Sequence, residues 1–265
     1  MPNIVIEDFA QQKSLSAHWQ CFNRGGGALA FTDQGLRFTN PATTSAAYTN
    51  AQVDDYQDLT RRYFWWQPPL TLTVRARFSH SAGVLSGTAG FGFWNDPFMM
   101  TGRRRPALPR VVWFFYSSPP SNMKLDLNTP GHGWKAGTLD AIRWPFFALL
   151  PTAPIAVPLM NIERLYQTFW PIGQRAIGVS EAPVPVAMTE WHTYDLDWQK
   201  QRVRFGVDGQ TILDCRTSPC GPLGFVMWLD NQYMVVTPWG TFGAGLVAEP
   251  NGQWMEVSNL KIESR

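Results

Sequence analysis

Trp191-His192-Thr193-Tyr194-Asp195-Leu196-Asp197-Trp198-Gln199, followed by Val203-Arg204-Phe205-Gly206-Val207-Asp208-Gly209, is the stretch on which the fold turns. Apolar and polar residues alternate through 192–198 and 203–207, the two-residue period of strands with two different faces. Asp208-Gly209 then separates 203–207 from a third apolar run, 211–215. An Asp-Gly pair between two such runs is the strongest short-range hairpin signal, because both residues accept the positive φ of a tight turn. Three antiparallel strands are written in one continuous piece of chain.

The same pattern extends outward. In Leu70–Phe78 every second residue is apolar and those between are polar, so one sheet face is expected to be wet. Segments 29–31, 36–38, 90–94, 110–116, 225–228, 234–236 and 254–262 also read as strands, and Thr32-Asp33-Gln34-Gly35 is a second hairpin turn. The expected fold class is therefore all-β, a two-sheet antiparallel jelly-roll sandwich. A chain of 265 residues with 45% hydrophobic and only 16% charged residues has the apolar area for one core, so residues 1–265 are expected to form one domain.

The formal net charge of +2 provides no global field for nucleic acid or an anionic surface, and no nucleic-acid partner is expected. The one basic run, 103–105, reads as a solvated loop tip. Residues 1–10 hold Glu7 and Asp8 and no continuous apolar run, so no signal peptide is expected and the location is cytoplasmic unless a leader was removed. Cys215 and Cys220 flank a turn and can be drawn as a bridge, which leaves Cys21 over. These cysteines and the four scattered histidines form no metal pattern, and no cofactor is expected.

Residues 139–177 break the strand pattern. Ile142, Trp144, Phe146, Phe147, Leu149 and Leu150 are followed by Pro151, Pro154 and Pro158, which exclude one long helix. Ile162, Leu165, Tyr166 and Phe169 have helical spacing, so a short amphipathic helix is expected after Pro158. Arg143, Glu163, Arg164 and the prolines interrupt the segment too often for a membrane span. It reads as an insertion into the sandwich. A lid that makes the groove a hydrophobic pocket, a homo-oligomer interface and a satellite core all fit its composition.

The quoted stretch resembles a hallmark of family 16 glycoside hydrolases, which carry a similar "FHTYAFDWQ" strand and then a "WYVDG" strand and turn. Gly224-Phe225-Val226-Met227-Trp228-Leu229-Asp230-Asn231 resembles their "MNLWNG" strand, and Met255–Ile262 their closing "DWVKY" strand. The resemblance spans 190–265 well and 65–120 loosely, and it implies the concanavalin A-like lectin/glucanase fold with a carbohydrate groove on its concave sheet. It also implies two carboxyl groups about 5 Å apart on one strand reading Glu-x-Asp-x-Glu, as a retaining glycosidase requires. The corresponding strand here is 110–116, Arg-Val-Val-Trp-Phe-Phe-Tyr, and no Asp or Glu occurs from Pro97 through Leu125.

The expected function is accordingly non-catalytic carbohydrate recognition, with a glycan or small molecule as ligand. The alternatives are a glycosidase-like enzyme with a different catalytic site and a hydrophobic-ligand binder gated by the insertion. By the resemblance, Trp228 and Asp230 face the groove, joined by Trp113 and Phe115 in one register and by Phe93 with Asn95 from the strand before. Asp96 is placed at the rim, His192 within reach of the groove, and Tyr233 and Trp239 at one end. Trp228 is the firmest of these because it has a counterpart lining the family's cleft.

Overall fold

The computed structural model describes residues 4–97 and 105–265, so Arg103 and Arg104 of the basic run lie outside the described residues. Every segment expected as a strand is one, with ends extended by at most two residues. One sheet runs Gln210–Cys215, Arg202–Val207, His192–Gln199, Leu70–Phe78, Gln253–Ser264, Leu36–Asn40 and Ala28–Phe31, with Ile4–Asp8 also paired to Gln253–Ser264. The other runs Ser180–Pro183, Gly133–Asp140, Arg110–Ser117, Thr88–Trp94, Gly224–Asp230, Asn50–Asp54 and Gln20–Cys21. Asp208 (φ 50°) and Gly209 (φ 78°) make the hairpin turn as their types require.

Side chains between the sheets form the main core. Leu70, Leu72, Val74, Ala76 and Phe78 supply one face of it, the apolar half of the alternation seen in the sequence. Phe91, Phe93, Phe114 and Phe225 meet them from the second sheet. The rings interlock edge to face: Phe114 stands 5.1 Å from Tyr194 and 5.3 Å from Phe205, and Phe93 5.4 Å from Phe225. Each such ring stabilises the sandwich by roughly 1.5–3 kcal/mol through the area it buries.

Strands Ile4–Asp8, Gln20–Cys21, Asn50–Asp54, Gly133–Asp140, Ser180–Pro183 and Phe242–Leu246 were not expected. Asn50–Asp54 and Gly133–Asp140 mix polar and small residues in the second sheet, where both faces are covered and the period-two signal disappears; the others are short, with Ile4–Asp8 paired to the first sheet and Phe242–Leu246 in a separate hairpin. Asn50–Asp54 and Thr88–Trp94, for example, are buried at every position.

The insertion is helical over a longer stretch than expected. It comprises α1 (Trp144–Leu149), a 3₁₀ turn (Leu150–Thr152), α2 (Ala153–Leu159) and α3 (Glu163–Ala176). Pro158 sits inside the last turn of α2 rather than opening the next helix. The buried residues of α3 are Tyr166, Trp170 and Ala176, while Ile162 and Phe169 stay exposed. The helix has one broad apolar side, running from Ile172 through Phe169 and Ile162 to Tyr166 and Trp170, and a polar side with Arg164, Gln167 and Arg175, so spacing gave the apolar side but not the part of it that docks. The partners set that part: the Trp170 indole N–H donates to the Leu125 carbonyl at 2.8 Å, and Tyr166 packs edge-on against Trp239 at 5.4 Å.

Candidate ligand cavity

The outer face of the second sheet is the floor of a cavity of about 1030 Å³. Alternate residues of its strands point there: Thr88 and Trp94, Val111, Trp113 and Phe115, Gly137 and Leu139, Trp228 and Asp230. Gly90 and Gly92 lie between Thr88 and Trp94 on the same face. A Cβ on Gly90 would come within 3.0 Å of the Trp228 ring, and one on Gly92 within 2.6 Å of the Cα and Cβ of Trp113. Gly90 therefore leaves room for the Trp228 indole, and Gly92 for the close approach of the Trp113 strand. Trp94 and Trp228 lie parallel with centroids 6.2 Å apart, and Trp113 stacks on Phe115 at 4.8 Å.

The helices form the roof, through Phe146, Leu149, Ala153, Ala156, Met160, Trp170 and Gly173. A hairpin of Gln232–Val236 and Phe242–Leu246, which leaves directly from Asp230, makes the side wall with Tyr233, Met234 and Phe242. The roof is held at few points. Gln174 Nε2 donates to Asp126 Oδ2 at 2.6 Å, Gln174 Oε1 accepts the Leu127 N–H at 3.3 Å, and Trp170 and Tyr166 make the contacts given above.

Thr138, Thr152, Gln232, Tyr233 and Thr237 line the cavity, with Thr88 and Gln52, as polar residues without a carboxyl group. Carboxyl groups reach it at two separated places. At one, Thr88 Oγ1 accepts the Trp228 indole N–H at 2.8 Å and donates to Asp230 Oδ1 at 2.7 Å, a relay that sets the angle of the ring. Asp230 Oδ1 also accepts the backbone N–H of Thr88 at 3.3 Å and of Gln232 at 3.0 Å. All three donors converge on one oxygen, and among the described residues no hydrogen bond reaches Oδ2. Burial pushes the Asp230 carboxyl up to about 6, with the Thr88 and Gln232 hydrogen bonds pulling the other way. Nearby Gln52 also lines the cavity and donates to Asp54 Oδ2 at 2.8 Å; burial raises Asp54 to about 6 as well.

At the other place Glu181, raised by burial against the pull of Lys135, pairs with Lys135 Nζ at 2.9 Å. Glu181 is in register with Gly137, Trp113, Gly92 and Val226 across successive strands. Asp230 lies on the Val226 strand, four residues on. Four strand spacings put the two carboxyl groups about 19 Å apart across the sheet before the offset along the strand is added. Paired glycosidase acids stand roughly 5–9.5 Å apart.

Of the residues expected at the groove, Trp228, Asp230, Trp113, Phe115 and Tyr233 line the cavity. Five do not. Phe93 points into the inter-sheet core, and Trp94 takes the groove position, because the strand is buried on both sides and its phase was invisible in the sequence. Asn95 ties the two ends of the following loop together, Oδ1 accepting from Arg110 N and Nδ2 donating to the Leu108 carbonyl, both at 2.9 Å. Asp96 is buried with φ 47°, a conformation Asp tolerates, and its carbonyl accepts from Arg61 at 2.6 Å.

His192 belongs to the other sheet, where Nδ1 meets Asp208 Oδ2 at 2.6 Å and Nε2 the Ala187 carbonyl at 3.1 Å. Trp239 packs on Tyr166 and fastens α3 to the hairpin instead of closing the cavity. Trp94, Thr88, Gln52 and Glu181 were missed; the Gly-x-Gly spacing of Gly90 and Gly92 was the available signal for the first two. Cys21, Cys215 and Cys220 are all free thiols, so the bridge drawn between Cys215 and Cys220 is not formed, and the Cys215 thiol instead donates to the Thr217 carbonyl at 3.5 Å.

A scan against protein-family models finds no match, and a search of curated proteins finds none. Solved structures do resemble the chain. Crh5 transglycosylase in complex with NAG is 15% identical, with a TM-score of 0.53 over 99% of this chain and 84% of that one. A Bacillus licheniformis β-glucanase is 9% identical, with a TM-score of 0.52 over 100% and 99%. A prokaryotic β-1,3-1,4-glucanase from a mouse hindgut metagenome is 9% identical, with a TM-score of 0.53 over 99% and 100%. The fold is the concanavalin A-like jelly roll of the glucanases.

Proposed function

We propose that the chain is a non-catalytic binding protein that holds one largely apolar small molecule, lipid-like or polycyclic, between the groove sheet and the helical roof. One observation carries this reading: the groove is roofed by side chains such as Phe146, Leu149, Ala156 and Met160, which enclose about 1030 Å³ above an aromatic floor. A cavity of that size suits a drug-sized or lipid-sized molecule. Sugar hydroxyls placed against that roof would lose water without gaining partners, which costs free energy for each one. Asp230 Oδ2 offers the acceptor for a single hydroxyl or amine on an otherwise apolar ligand.

The absence of catalysis is supported by two features. Strand Arg110–Ser117 presents Val111, Trp113 and Phe115 to the cavity where the family resemblance calls for acids. The carboxyl groups that do line the cavity, Asp230 and Glu181, are too widely separated to act on one glycosidic bond.

Glycan recognition is the second reading. It is favoured by the stacked indoles of the floor and by the glucanase and transglycosylase likenesses, one of them a complex with NAG. Titration of the protein with an anilinonaphthalene probe and with a long-chain fatty alcohol tests the first reading. One saturable site is expected, and it is lost in Ala153→Trp, which fills the cavity from the roof, with the thermal transition retained. No saturable binding of either probe, together with glycan-array binding that Trp228→Ala removes, would overturn it in favour of the second.

A further inference from the structure

Helices α1 and α2 carry exposed apolar side chains as well as the ones they turn to the cavity. Nine of the fourteen exposed large apolar side chains among the described residues fall between Ile142 and Ile172, on or next to helices that pack against one another, so apolar exposure is concentrated in a patch on the roof rather than scattered over the surface. Trp144 (77%), Ile155 (71%), Ile162 (55%) and Phe147 (49%) are the most exposed, and none of the four lines the cavity.

A second group joins the patch to the cavity. Leu150, Phe169, Ile172 and, from the hairpin, Phe242 line the cavity and are also exposed by 43–74%, which places them at its opening. The opening is thus rimmed with hydrocarbon, and that rim continues onto the outer face of the helices. Left in water, such a rim keeps its hydrocarbon surface hydrated at a cost that contact with a hydrocarbon phase removes. A ligand entering from a hydrocarbon phase keeps apolar contact throughout.

The charges on this face carry one dominant sign. From Ile142 to Ala176 the charged residues are Arg143, Arg164 and Arg175 against Glu163 alone, and all four are exposed. Arginines at the edge of an apolar helical patch reach anionic head groups while their stems and the neighbouring Trp lie at the hydrocarbon boundary. No helix of the described residues is long and apolar enough to cross a membrane.

We infer that α1–α3 dock on the surface of an anionic lipid bilayer, with the cavity opening turned toward it so that the apolar ligand passes between membrane and cavity. The direction of passage rests on the apolar-ligand reading; the docking face does not.

Flotation of the full chain with vesicles tests this, using phosphatidylcholine alone and phosphatidylcholine mixed with phosphatidylglycerol. The parent is expected to float with both and to favour the mixture. Trp144→Ser combined with Ile155→Ser is expected to lower partitioning roughly tenfold or more. Arg143→Gln, Arg164→Gln and Arg175→Gln together are expected to abolish the preference for phosphatidylglycerol. Failure of the parent to float with either vesicle overturns the inference. So does a dimer in solution that the Trp144/Ile155 variant converts to monomer, which would make this face a contact between copies.

Probe binding in lipid-free solution, measured on the same variants, separates the two proposals. Trp144→Ser combined with Ile155→Ser leaves it unchanged if the cavity reading holds. Flotation without any probe binding would sink the cavity reading and leave the docking face standing.

Discussion

The groove sheet carries an aromatic cluster on each face, and the two have opposite fates. On the inner face Phe91, Phe93, Phe114 and Phe225 meet a second sheet and interlock. On the outer face Trp94, Trp113, Phe115 and Trp228 meet a helical roof and leave about 1030 Å³ unfilled. The residues are alike in kind, so composition does not separate core from site. What differs is the cover. A second sheet approaches to about 10 Å along its whole length and its alternate side chains fill the gap. Short helices broken by prolines and held at a few points do not follow the floor in that way.

The sharpest way to break the comparison is to remove one ring from each side. Phe93→Ala, in the interlocked core, is expected to cost about 3–5 kcal/mol in chemical denaturation. Trp113→Ala, on a floor that already faces open volume, is expected to cost well under half of that while abolishing binding of the anilinonaphthalene probe. Equal losses of stability would show that the cavity is closed in solution.

Next in size is the response to pH. Asp230 and Asp54 ionise at about 6 in the folded chain against an ordinary value of 3.8. Between those values these two groups keep protons in the folded chain that the unfolded chain has released, so their contribution to stability is highest below the lower value and is lost as pH rises through about 6. Asp230→Asn should remove its share, on the order of 2–3 kcal/mol, making the variant more stable than the parent at pH 8 and no more stable at pH 4. Urea titrations at the two pH values read this directly. An Asp230→Asn variant that gains nothing over the parent between pH 4 and pH 8 would contradict it.

A smaller effect is expected at the roof's fastening. Gln174→Ala removes the contacts to Asp126 and Leu127 and is expected to cost about 1 kcal/mol. Its distinguishing sign is faster hydrogen exchange in α3 with the core strands unchanged. The smallest change should come from His192→Ala, in the other sheet: probe affinity is expected to stay within twofold, and a larger drop would return His192 to the site.

Where one face of a strand is wet, the fold was legible. Leu70–Phe78 and His192–Gln199 show alternation because solvent touches one side, and Asp208-Gly209 marks its turn by backbone chemistry alone. Asn50–Asp54, Gly133–Asp140 and the phase of Thr88–Trp94 were not legible, because a sheet covered on both sides has no polar face to set the period. The candidate site followed the same division. The resemblance of one strand and the register of another mark Trp228, Asp230, Trp113 and Phe115, whereas in Thr88–Trp94 the groove position belongs to Trp94 and not to the expected Phe93.

By itself the sequence determined the all-β sandwich, the hairpins and the acid-free strand at Arg110–Ser117, since these depend on residue type and near-neighbour spacing. Only the tertiary structure decided that the helices lie over the groove, that Trp94 rather than Phe93 faces it, and that Asp230 and Glu181 are far apart. Those facts depend on which covered face meets which partner. That choice is made by packing between segments distant in sequence, and local pattern does not record it.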